Sequence, residues 1–139
     1  MLLGMPANAR DLDALAAIVT PAYIAMNFAA VCVTYDPIYL AKTSGPHGTA
    51  IAYAQHVKDD VITSLSYGEA SATLKTAADA ARRTALQKLR TFHAQDPAIE
   101  KTRIREWCGS EAKEFIRAFI DYHDNNHDDL MSRVEQARQ

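Results

Sequence analysis

Apolar positions in this chain recur at steps of three and four, and no stretch alternates strictly enough to read as a strand. The first periodic region runs from about Asp11 to Tyr35 and carries no charge between Asp13 and Asp36. Pro21 lies inside it, and because proline is accepted in a first helical turn and disruptive later, a break or restart is expected there. Asp36-Pro37 stops the region, and the segment Lys42 to Gly48 reads as a loop whose Gly-Pro and Gly48 punctuate turns. A second helix is expected from about Thr49 to Leu65, with Ala50, Ala54, Val57, Val61 and Leu65 as its buried stripe. His56 falls on the opposite side beside Asp59 and Asp60, where a solvated histidine is the plain reading.

Ser66 and Glu69 have the spacing of a capping box, so a third helix starts there and reaches about Phe92. Its stripe is Ala70, Leu74, Ala77, Ala81, Ala85, Leu89 and Phe92, and the small residues allow a close neighbour. Lys75, Arg82, Arg83, Lys88 and Arg90 fall on its other sides as a solvated basic surface. Asp96-Pro97 reads as an N-cap followed by proline at the first helical position. The fourth helix that begins there is expected to bend near Gly109-Ser110 and continue through Phe115 and Phe119 toward the C-terminus, with Trp107 as a core anchor. We therefore expect an all-α fold: one helical domain over residues 11–139, a four- to five-helix bundle, mostly up-and-down, with the first helix the most buried element.

Composition agrees with one core. With 139 residues, 48% hydrophobic composition and only five glycines and five prolines, the chain has the length for a single helical domain and not for two. A formal net charge of −2 with both signs interspersed argues against a surface held to nucleic acid by phosphate contacts. The uncharged run from Asp13 to Asp36 meets the length rule for a membrane span, but its alanines, Thr20, Pro21, Asn27 and Thr34 make it apolar only weakly, and a buried core helix is the better reading.

Residues 1–10 stand apart. Ala7-Asn8-Ala9 has the A-x-A form that ends a secretory signal, while Leu2, Leu3 and Met5 are too few for a complete apolar core. This stretch is either the remnant of a signal peptide or a disordered N-terminus in which the pattern is chance, which leaves two localisations open: periplasmic or secreted in the first case, cytoplasmic in the second. The two cysteines follow the same fork. In an exported protein Cys32 and Cys108 are a natural disulfide pair closing a loop of roughly 75 residues, for which the chain-entropy estimate is about 4 kcal/mol. In a reducing cytosol they are buried thiols. Their spacing excludes CxxC chemistry.

The one chemically dense segment is Asp121 to Asp129. If a helix continues through it, His123 and His127 sit at i and i+4 and face the bundle with Phe119 and Leu130. Two such imidazoles with Asp124 or Asp128 as a third ligand suit a divalent transition metal. The plainer reading is a polar helix end in which Asp and Asn cap a short final helix. A di-iron bundle needs a second carboxylate-x-x-His motif, yet His56 and His93 are preceded at that spacing by Tyr53 and Arg90. A calcium loop begun at Asp124 puts Asp129 where glycine is needed. No nucleophile elbow, HExxH or Ser/Cys-His arrangement is present.

Three functions follow in order of expectation. The first is a non-enzymatic helical scaffold binding a protein partner or a second copy of itself. The second is a metal-binding protein using His123, His127, Asp124 and Asp128. The third is an enzyme whose site is assembled from positions that only the fold brings together.

Overall fold

A computed structural model of the chain describes residues 11–139, so the stretch read as either a signal remnant or a disordered N-terminus lies outside the described residues. These form seven helical segments: α1 Leu12–Tyr35, α2 Tyr39–Lys42, α3 Ala50–Ile62, α4 Tyr67–Arg90, α5 Pro97–Gly109, α6 Glu111–Asn125 and α7 His127–Arg138. Among the described residues there is no strand, only an isolated bridge between Gly45 and Gly48, and the all-α expectation holds. The expected count of four to five helices does not. α2 adds a single turn after Pro37, and the long helix expected after Asp96 is three helices, interrupted at Ser110 (φ −126°, ψ −92°) and Asn126 (φ −130°, ψ 32°).

α1 packs against every other helix and contributes more buried residues than any of them. It runs unbroken through Pro21, contrary to the expected break. The proline is exposed, Val19 and Ala22 beside it are fully buried, and the Thr20 hydroxyl donates to the Ala16 carbonyl at 2.8 Å. Packing on both sides of the proline thus holds a helix that an isolated peptide would lose. α1 is long and apolar enough to cross a bilayer by length and composition, the one such helix among the described residues. Its contacts with α3, α4, α6 and α7 are those of a core helix, which argues against a membrane span.

Two clusters divide the interior along α1. One gathers Phe28, Cys32, Tyr39, Tyr53, Ile104, Trp107, Ile116 and Ile120; the other gathers Leu15, Val19, Val57, Val61, Leu130 and Val134. Phe119 packs against both. In the first, Trp107 meets the Phe28 ring edge-on at 4.7 Å, and the sulfurs of Cys32 and Cys108 stand at disulfide distance with Cα atoms 5.6 Å apart. α4 turns small residues inward, Thr73, Ala77, Ala81 and Ala85, and so approaches α1 closely. Gly45 lets the 43–49 loop lie on the core: a Cβ there would meet Ile120 Cγ2 at 2.5 Å and the Tyr53 hydroxyl oxygen at 2.8 Å.

Candidate metal centre

Three helices bring the site together. α3 presents His56, Asp59 and Asp60 near its C-terminus, α6 presents His123 in its last turn, and α7 begins on His127. One ligand atom each from Asp60, His123 and His127 lie within 4.8 Å of one another. His127 Nε2 is 3.7 Å from Asp60 Oδ2, and the His123 and His127 rings are 5.5 Å apart between centroids. Ligands around a tetrahedral zinc are separated by about 3.3 Å, so small rotamer adjustments close the set. His56, 6.4 Å from the His123 ring and one turn before Asp60 on α3, borders the same depression of about 320 Å³ together with Asp59.

His123 is the unusual member. Its residue is 8% exposed, and neither ring nitrogen, both fully buried, has a hydrogen-bond partner among the described residues. An Asp124 carboxylate oxygen stands 3.9 Å from Nδ1, beyond hydrogen-bond reach. The Tyr53 ring stands perpendicular to the imidazole at 5.1 Å between centroids. Burial holds the His123 pKa below its usual value of 6.5, the charge of His127 and that of His56 add to this, and Asp124 and Asp60 oppose it. The ring is therefore neutral near pH 7, the form that ligates a metal.

The sequence expectation named Asp124 and Asp128 as carboxylates for this site; the carboxylate whose oxygen converges with both histidines is that of Asp60, while Asp124 stands beside His123 alone. Asp124 accepts from the Tyr53 hydroxyl at 2.9 and 3.0 Å, and Asp128 is exposed on the first turn of α7. The reason is the interruption at Asn126, which re-aims the chain between the two histidines and keeps them from sharing one helix face as i and i+4 neighbours. They converge across the break rather than along a helix. The same interruption leaves no twelve-residue loop for calcium after Asp124, since the residues around Asn126 are helical. His56 and Asp60 carried the one local signal for the missing ligands, an i, i+4 pair on α3 that reads as solvated until α6 and α7 are laid beside it. His93 is remote from this site and contacts Glu100 at 3.1 Å.

Comparison with protein-family models, curated proteins and solved structures finds no match to this chain.

Proposed function

We propose that this chain is a metal-binding protein that holds one divalent transition-metal ion with His123, His127 and Asp60, and with His56 as a fourth ligand reached by rotamer change. The observation that supports it is His123. A buried polar group without a partner costs about 1–3 kcal/mol, and metal ligation at a point where a second imidazole and a carboxylate converge supplies the missing partner. Two or three imidazoles with one carboxylate suit zinc, copper(II) or nickel and are a poor cage for calcium or magnesium. The ion ties the C-terminal helix to α3, so its binding energy adds to fold stability. Because His127 is about half exposed at 48%, the site opens to solvent and suits an exchangeable ion.

The disulfide-distance cysteines and the apolar helix near the N-terminus are compatible with a secreted protein, and we place the metal site in that oxidising setting. The scaffold reading has one observation in its favour, an apolar groove of about 610 Å³ between α1 and α4 lined by Met26, Val31, Leu86 and Leu89. It is compatible with the metal site and secondary to it.

Chelator-stripped protein with its cysteines left oxidised, given Zn²⁺, Cu²⁺ or Ni²⁺ singly, tests the reading by thermal unfolding. At a free ion concentration one hundred times Kd the gain is about 2.7 kcal/mol, a rise of roughly 10 °C for a domain of this size. His127→Ala, at a half-exposed position, removes that gain for the preferred ion. No rise with any of the three ions, or a rise that survives His127→Ala, rejects the proposal.

A further inference from the structure

Fourteen residues further along α1 from Ile18, which lines a small cavity together with His123, a second cavity lies against the Cys32–Cys108 pair, on the order of 20 Å away at 1.5 Å per residue. Its volume is about 370 Å³, within the range of small-molecule sites. The buried Tyr39 ring, the Tyr35 ring and the two sulfur-bearing residues give it mainly apolar walls. Three cationic side chains border it, Lys42, Arg105 and Lys113, against one carboxylate, Asp36. In a chain whose formal net charge is −2, that is a local reversal of sign.

Asp36 is held by Lys42 at 2.8 Å, and the Tyr39 hydroxyl is committed to the Cys108 carbonyl at 2.7 Å. Arg105, Lys113 and the Tyr35 hydroxyl have no hydrogen-bond or ion-pair partner among the described residues. Two uncommitted cations and a free phenol thus border an apolar hollow. We propose that this cavity binds a small organic carboxylate with an apolar, ring-sized body, the body between Tyr35 and Tyr39 and the carboxylate on Arg105 and Lys113. The planar guanidinium takes a carboxylate through two parallel N–H donors, with the ammonium as a second point charge. A bare inorganic anion satisfies the cations and leaves the apolar walls unfilled. The proposal is independent of the metal centre, which shares none of these residues.

Titration of ¹⁵N-labelled, unreduced protein with phenylacetate, phenylacetamide and inorganic phosphate tests it. Phenylacetate is expected to shift the backbone amides of Thr43 and Gly109 saturably, while phenylacetamide, with the same body and no charge, and phosphate, with charge and no body, bind at least about tenfold more weakly. Arg105→Gln with Lys113→Gln, neither of them fully buried, weakens phenylacetate by about tenfold or more while the rest of the spectrum stays in place. No saturable shift with phenylacetate overturns the proposal. So does phenylacetamide or phosphate binding as well as phenylacetate, or a double variant that binds unchanged.

Discussion

The hydroxyl of Tyr53 donates to the Asp124 carboxylate, 2.9 Å from one oxygen and 3.0 Å from the other, and joins α3 to α6 one residue from His123. The same hydroxyl oxygen accepts the His47 backbone N–H at 3.1 Å, which pins the 43–49 loop. Burial and the carboxylate beside it raise the tyrosine's pKa, so it remains a donor through neutral pH. Tyr53→Phe keeps the ring and strips the partner from a largely buried carboxylate and a backbone N–H. The expected cost is about 1–3 kcal/mol, read as a lower urea midpoint with an unchanged m-value. An unchanged midpoint means that water replaces the hydroxyl and that this contact does not hold the site's frame.

Asp60 and Asp128 separate the site of the structure from the site expected from sequence. Asp60→Asn is expected to weaken zinc binding by about a hundredfold or more, since even partners of a ligand alter affinity by about 10–100-fold. Asp128→Asn, at an exposed position, leaves affinity within about twofold, the scale of a solvent-screened surface charge. Calorimetric titration of both variants reads this directly. The reverse order of effects puts the carboxylate ligand on α7 and removes Asp60 from the centre.

Local signals in the sequence were legible where local physics decides. Ser66 and Glu69 form both halves of the capping box, and the Asp96 side chain accepts from the Ala98 N–H with Pro97 at the first helical position. The Cys32–Cys108 pairing is legible only as one arm of a fork, a disulfide if the protein is exported and two buried thiols if it is not, and the structure brings their sulfurs to bonding distance. Pro21 misleads because its propensity is local while the packing that overrides it comes from other helices. Tyr53 escapes the stripe read along α3 because a tyrosine between apolar positions gives no sign that its hydroxyl is answered from α6, 71 residues on. Asp60 escapes for the same reason: its meeting with His123 and His127 is made by the contact of three helices and by the turn at Asn126, and no periodicity along one helix records that.

The buried His123 sets a direction for the pH dependence of the metal-free protein. Its folded pKa lies below the 6.5 of an unfolded histidine, so on acidification the unfolded chain takes up this proton first. The stability is therefore fully present above about 6.5 and is lost as pH falls from there through the folded value. The groups that face the ring pull both ways, His127 and His56 with burial, Asp124 and Asp60 against it, and burial is the largest. Urea midpoints measured on chelator-treated protein through this range are expected to fall, and His123→Gln is expected to flatten the fall. An equal slope in the variant assigns the proton uptake to other groups.

The Cys32–Cys108 pair has its largest effect on α5. That helix buries only Ile104, Trp107 and Cys108, whereas the residues it joins are 76 apart in sequence and Cys32 lies in the fully buried core of α1. Removing such a link from a small domain costs about 2–5 kcal/mol, mostly through the greater freedom of the unfolded chain. A second consequence is local, because α5 without the link is seated by Trp107 on Phe28 of α1, by Ile104 in the same cluster, and by the Tyr39 hydroxyl of α2 on the Cys108 carbonyl. Cys32→Ala with Cys108→Ala is therefore expected to lower the urea midpoint and to speed amide exchange in Pro97–Gly109 more than in Ala50–Ile62, while zinc affinity at the far end of α1 changes little. Uniformly faster exchange in both helices assigns the link to the stability of the whole domain. A variant with the native midpoint and native α5 exchange shows that the aromatic packing alone seats the helix, and that the covalent link is dispensable to the fold.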